Sequence, residues 1–426
     1  MINKLKQKLN SRSNKNILTL FSGNVLAQVV PFLFAPWIAR IYSPEELGIF
    51  AIIFSSITVL ATIANGRYEM AIVIPKEDKQ VFSLVFLCII IAGILCLLSF
   101  PITLFLNEEI SVLIKNPQVK DLLYLIPIIV FLIGVYNPLK YYLTREGKFK
   151  MLSYSQVSKS MSQSIFQVIF GMLKFQEKGL IWGYLVSQFF GNGVIIKNFI
   201  RDFKASVQSK DVTVKSIKDV AKEYKDFPKY SVWGIFINNI AQNITIFFIA
   251  SLYGNENLGY YSFMQRYINA PLFLISTTMG QVYMQELSQK VREGRPAVQV
   301  FYSYIKKLFI LSLLIVIAIY LFVGEGIVLL FGEKWLQSSE IVIIMLPLFL
   351  IKFVCTPLTT TLTVLQRQKL ALVLQFGIFV FTMIPIGFAK YYEIGMLNFL
   401  KIQSYILFVY YLLLLLIVRN LLVRLK

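Results

Sequence analysis

The sequence predicts an all-α polytopic membrane protein, with about 12 transmembrane helices arranged as two parallel six-helix repeats. Three observations predict it. First, of 426 residues 57% are hydrophobic and 15% are charged. A soluble domain carries about 25% charged residues, and the mean hydropathy of +0.68 is that of a chain that dissolves in lipid. Second, apolar runs of about 20 residues, the length needed to cross a bilayer as a helix, recur along the whole chain. Third, one motif occurs twice, half a chain apart.

The elements follow in order. A basic start (Lys4, Lys6, Lys8, Arg12, Lys15) occupies residues 1–16 and is expected in the cytoplasm. The apolar stretch after it is too long for a signal peptide core, so the first helix is read as a retained anchor. Spans are predicted at 17–40, 48–65, 80–106, 120–143, 151–173 and 179–200, which make an N-lobe over 17–200. Residues 201–228 form a basic cytoplasmic linker that alternates charged and apolar residues, as a helix lying on the membrane surface would. The C-lobe, 229–418, has spans at 229–253, 259–284, 301–323, 339–364, 370–389 and 396–418. Residues 419–426 are a cytoplasmic C-terminus.

The duplication centres on Ile38-Ala39-Arg40-Ile41-Tyr42-Ser43-Pro44-Glu45-Glu46-Leu47-Gly48, which returns as Ile249-Ala250-Ser251-Leu252-Tyr253-Gly254-Asn255-Glu256-Asn257-Leu258-Gly259. Ile, Ala, Tyr, Glu, Leu and Gly recur at an offset of 211. Further matches continue it: Leu104-Phe105 with Leu321-Phe322, Ile126-Pro127 with Leu346-Pro347, and Lys148 with Lys369, the offset drifting to 217, 220 and 221. Six is an even number of crossings, so both repeats enter the membrane from the same side and are parallel.

Lys and Arg set the orientation. With the N-terminus inside, 31 of the 42 basic residues fall on inner segments and helix ends, 7 on outer ones and 4 within helices. Both termini are therefore expected in the cytoplasm. The net charge of +20 is largely this topological charge, held by anionic lipid headgroups, and does not argue for nucleic acid.

Histidine is absent, and Cys88, Cys96 and Cys355 lie singly inside apolar segments. No metal cluster, phosphate-binding glycine loop or pair of intramembrane carboxylates is present, so the chain is not expected to be an enzyme and no cofactor is predicted. What stands out is cationic. Lys159, Arg266, Lys352 and Lys401 fall inside spans, whereas the 22 acidic residues fall in loops or at helix ends. A charge at the bilayer centre costs about 2.5–3.5 kcal/mol and marks a functional cavity. Arg266, Lys159 and Lys352 are the candidates for holding an anionic substrate. Arg266 offers the bidentate fork that phosphate oxygens favour. Lys401, near the start of its helix, is expected to snorkel to the headgroups.

Polar faces accompany the cations. Gln156, Ser160, Gln163 and Gln167 share one face of helix five. Helix one carries Asn24 and Gln28 before Pro31 and Pro36; helix seven carries Asn238, Asn239, Gln242 and Asn243; and Asn269 follows Arg266. Two readings stand for each Asn or Gln, cavity lining and hydrogen bonding between helices. Lining is favoured for the stripe as a whole. Arg67 and Glu69 sit just past helix two, either as a loop-holding salt bridge or as a cytoplasmic gate.

The run Pro36 to Gly48, together with Arg67-Tyr68-Glu69 and Ala71-Ile72-Val73-Ile74-Pro75-Lys76, resembles the polysaccharide biosynthesis family, the Wzx-type flippases of O-antigen and capsule repeat units in the MATE-like exporter superfamily. The resemblance implies a bacterial inner-membrane flippase, moving undecaprenyl-diphosphate-linked oligosaccharide by alternating access of two six-helix lobes. It implies membrane lipids, a polysaccharide polymerase and a chain-length regulator as partners, and a monomer. It leaves the coupling ion, sodium or proton, open. Related lipid II flippases carry cavity arginines in their early helices and in helix eight; Arg266 sits in a comparable place, and the early arginines have no counterpart here. The alternative is a cation-coupled small-molecule or drug exporter of the same superfamily. Such exporters typically carry an acidic residue in helix one, which this chain lacks.

Overall fold

The structure is a computed structural model that describes residues 12–113, 119–206, 212–294 and 296–423; for residues 12–22, 24, 113 and 206 it describes the backbone alone. The basic start at Lys4, Lys6 and Lys8 lies outside the described residues. The described residues are almost entirely helical, with no strand among them. Twelve long helical segments follow the predicted order. They are α1 (Arg12–Ile41), α2 (Pro44–Ala61), α3 (Asp78–Leu113), α4 (Lys120–Leu123 continuing as Leu125–Arg145), α5 (Phe149–Met172), α6 (Glu177–Ser206), α7 (Val232–Tyr253), α8 (Asn255–Met264 and Ala270–Arg292, joined by Gln265–Asn269), α9 (Ala297–Phe331), α10 (Leu336–Leu358, then Thr360–Val364), α11 (Gln368–Tyr392) and α12 (Met396–Val423).

Among the described residues, nine of these helices are long and apolar enough to cross a membrane. The three that are not are α1, α5 and α8. α5 and α8 have the length but are too polar, whereas α1 is apolar over Val25–Ile41, the part described in full, and falls short in length there. Helix ends differ from the predicted spans where charged residues continue a helix past the apolar run. Thus α8 runs on to Arg292, through Gln285, Glu286, Gln289 and Lys290.

The chain divides into two compact units: residues through Tyr42 with Ile49–Asn239, and Ser43–Gly48 with Ile240–Lys426. The division falls inside α7. In the first unit α5 lies against both α1 and α6. Close approach is possible because α6 presents Gly179, Gly183, Ser187 and Gly191 at four-residue spacing, so that small residues form one ridge. A Cβ on Gly183 would stand 2.6 Å from Cγ of Gln167.

Residues 212–224 belong to this unit too. The helix Val214–Glu223 is capped by a reciprocal pair, Thr213 with Ser216. It was expected to lay its apolar face on lipid. Protein covers that face instead: Val220 is buried in a core with Phe82, Val85, Leu143 and Phe199. Ser216 Oγ meets Ser83 Oγ at 2.9 Å, and Tyr68 Oη donates to the Ala221 carbonyl at 3.0 Å. The ends of α3 and α4 offer an apolar surface that an amphipathic helix covers as readily as it would cover lipid.

In the second unit, rings do what glycines do in the first. Trp335, fully buried, stacks on Phe263 with centroids 4.6 Å apart, and Phe331 packs edge-on against Phe263 at 4.8 Å. Tyr260 and Tyr267 complete the cluster. Ser43–Gly48 packs in this unit, so the two copies of the repeated motif meet. Gly48 abuts the backbone of Asn255, and Gly259 abuts that of Pro44. A Cβ on either glycine would fall within 2 Å of a carbonyl oxygen, 1.9 Å at Gly48 and 1.8 Å at Gly259.

Candidate functional site

The polar stripe of α5 turns out to be split between two tasks. Gln167 is buried; its Nε2 donates to the Leu180 carbonyl of α6 at 2.9 Å, and its own carbonyl accepts from Tyr42 Oη at 2.7 Å. This corrects the expectation that Gln167 lines a cavity: the glycine ridge of α6 brings α5 too close for water to lie between them. Ser160 donates to the Ala27 carbonyl of α1, and Ser155 Oγ to the Gly191 carbonyl at 2.8 Å. Gln156, Lys159 and Gln163 remain half-buried. Gln156 Oε1 is buried without a hydrogen-bond partner among the described residues. Lys159 Nζ stands 4.8 Å from the ring centroid of Tyr136 on α4, a cation–π contact. Of the α1 candidates, Gln28 is exposed and the side chain of Asn24 lies outside the described residues.

In the second unit Arg266 lies in a π-helical turn, Gln265–Asn269. Pro271 is the local cause, since it has no N–H to give to Tyr267 four residues earlier, and the helix widens by a residue to accommodate it. The turn is braced on one side, Gln265 Nε2 donating to Tyr261 Oη at 2.7 Å and Asn269 Nδ2 to Gln265 Oε1 at 2.7 Å. Arg266 Cζ is 5.5 Å from the Tyr267 ring, which also packs on Phe263 and Phe331 of the aromatic cluster. Asn269 is thereby engaged with its neighbour one turn back. Lys352, half-buried on α10, has its Nζ 5.8 Å from the Tyr411 ring of α12. On α7, Asn239 Nδ2 donates to the carbonyl of Ile235 in its own helix, Gln242 is exposed and Asn243 is half-buried. Lys401 is exposed.

Arg67 and Glu69 pair at 3.2 Å in the first unit, with side-chain exposures of only 16% and 6%. Arg67 has φ +64, a left-handed backbone that costs a non-glycine residue energy. Burial pushes the Glu69 carboxyl above the usual carboxylate range, and Arg67 pulls it back only in part. Beneath them Asn65, which sequence reasoning passed over, donates to the carbonyls of Cys88 (3.2 Å) and Gly134 (2.7 Å). Tyr136 was missed as well, because an aromatic in an apolar helix carries no signal until its partner is known. The glycine ridge was readable from its spacing. Among the described residues no group of three or more His, Cys, Asp or Glu side chains could hold a metal ion.

Each unit thus seats cations on aromatic faces within its helices, Lys159 in the first and Arg266 and Lys352 in the second. The fold is similar to that of solved MATE-like transporters. The chain superposes on an inward-facing multidrug resistance MATE family transporter of the MOP superfamily with a TM-score of 0.70 at 19% identity, covering 94% of this chain and 95% of that one. On the lipid II flippase MurJ in an inward closed conformation it scores 0.71 at 14% identity, covering 94% and 87%. A third match is a MOP superfamily transporter from Pyrococcus furiosus with a binding pocket of reversed polarity, scoring 0.63 at 17% identity over 97% and 96%. No curated protein matches it in sequence. The model of the polysaccharide biosynthesis protein family matches residues 37–340, well over half of the chain, and the chain belongs to that family.

Proposed function

We propose that this protein is a flippase that moves undecaprenyl-diphosphate-linked oligosaccharide repeat units, of O-antigen, capsule or exopolysaccharide, across the bacterial inner membrane by alternating access. Both termini then lie in the cytoplasm. One observation carries the reading: among the described residues, the two long helices too polar to count as apolar spans, α5 and α8, are those that bear Lys159 and Arg266. Polarity inside a membrane is retained where it meets a polar cargo. Membership of the polysaccharide biosynthesis family supports a glycan as that cargo. Its diphosphate needs positive charge while it leaves water. In the second unit Arg266 offers a bidentate fork and Lys352 a mobile point charge; in the first unit Lys159 offers a point charge of its own. Their cation–π seats hold the charges without neutralising them, which leaves them available to an anion.

The test is complementation of an O-antigen flippase deletion, read as surface glycan. Wild type restores it. Arg266→Ala should abolish it while the protein stays in the membrane, and Arg266→Lys should restore it in part. Wild-type glycan export by Arg266→Ala would sink the anion site. Gradient-driven efflux of cationic dyes by the purified protein would favour a drug exporter.

A further inference from the structure

The charge count along the sequence assigns Lys140 to the cytoplasmic end of helix four, with the loop cations. The structure puts it in other company. Lys140 follows Tyr136 by one turn of α4, on the same face. Tyr136 is the ring that carries Lys159. Its hydroxyl lies 3.3 Å from Ser155 Oγ, one turn before Lys159 on α5. Lys140 and Lys159 therefore flank one tyrosine from two helices. Lys140 is half-buried, as Lys159 is.

Two like charges share a low-dielectric site at a cost unless something negative joins them. The neighbouring carboxylates are engaged elsewhere: Glu69 with Arg67, Asp78 and Glu146 with Arg145, Asp202 with Lys148. Neither Lys140 nor Lys159 has an ion-pair partner among the described residues. Nearby Gln156, with its buried oxygen unpartnered, has an amide to offer. Counting from the α4–α5 turn, Lys140 is 5 residues before Arg145 and Lys159 is 10 residues after Phe149. At 1.5 Å per residue the two differ in depth by about 8 Å.

We propose that Lys140 and Lys159, flanking Tyr136, form a two-cation site for a diphosphate, Lys140 being the shallower station that the anion meets first. The site deepens the flippase reading and rests on it. Its chemistry is that of a phosphate anion, whether that anion belongs to a polyprenyl diphosphate or to a phospholipid headgroup.

The test uses the full-length protein in neutral-lipid nanodiscs, with inorganic pyrophosphate as probe and calorimetry as readout. Lys140→Met keeps the aliphatic stem and removes the charge, so folding is guarded. Lys140→Met and Lys159→Met should each weaken pyrophosphate binding about tenfold, the scale of one charge-assisted contact. Lys140→Arg should bind within about threefold of wild type. Wild-type affinity in Lys140→Met, with Lys159→Met weakened, overturns the two-cation site and leaves the flippase reading standing. If phosphatidylglycerol in the disc blocks pyrophosphate, and Lys140→Met relieves the block, the two-cation site stands and its anion is a phospholipid headgroup. The flippase reading itself fails on a different result, the failure of wild type to restore surface glycan.

Discussion

Lys159 stands on a helix whose neighbours are glycine and serine; Arg266 stands on a helix whose neighbours are aromatic rings. The first unit brings helices together by removing side chains, with Gly183 against Gln167 and Gly191 against Lys159. Polar groups then bond across the narrow gap, as Gln167 does to Leu180 and Ser155 to Gly191. The second unit fills the corresponding space with Trp335, Phe263 and Phe331 and lets one helix, α8, deform at Pro271. The sequence duplication does not extend to these devices. An offset of 211 pairs Arg266 with Ser55, which is buried in α2. The start of the repeat persists while the next two turns diverge. After Ala61 α2 gives way to turns and the strained Arg67, whereas α8 continues to Arg292. A shared scaffold can thus hold unlike interiors, because packing between backbones constrains the helix ends more than it constrains what the middles carry.

Four substitutions break or sharpen this contrast. Trp335→Ala should cost about 3–5 kcal/mol, as removal of a fully buried large aromatic does. Gly183→Leu should cost about 1–3 kcal/mol by overpacking α5 against α6. Thermal midpoints in detergent compare the two, and a more damaging Gly183→Leu would invert the contrast. A subtler effect concerns Glu69. Its folded-state pKa lies above the ordinary value of 4.5, so the native state holds its proton more tightly than the unfolded chain. Its contribution to stability is present below 4.5 and is lost as pH rises through the raised value. Glu69→Gln should flatten that slope in a stability–pH series, and an unchanged slope would assign it to other groups. Lys401→Ala, at an exposed position, should leave surface glycan unchanged; loss of glycan would move Lys401 in with the interior cations.

Nearly all of the architecture could be read from the sequence, since a helix that crosses lipid declares itself by about 20 apolar residues. The polar helices were also visible, and their cations with them. The division of labour within the α5 stripe was not. Whether Gln167 meets water or a carbonyl depends on how near α6 comes, and that is set by glycines on a different helix. Lys140 was assigned by its distance from a helix end, a rule that ignores which face it shares with Tyr136. The linker Val214–Glu223 carried a clear amphipathic pattern, but the pattern is the same for a lipid surface and for the apolar ends of α3 and α4.

The crossing of Gly48 and Gly259 has a consequence for how such a chain can change. What each glycine meets is main chain, the carbonyl of Asn255 on one side and that of Pro44 on the other. A side chain can be trimmed by a later substitution; a carbonyl cannot. No second-site replacement can therefore rescue an alanine at either position, and no smaller residue exists to step through. At this point each copy of the motif holds the other's glycine in place.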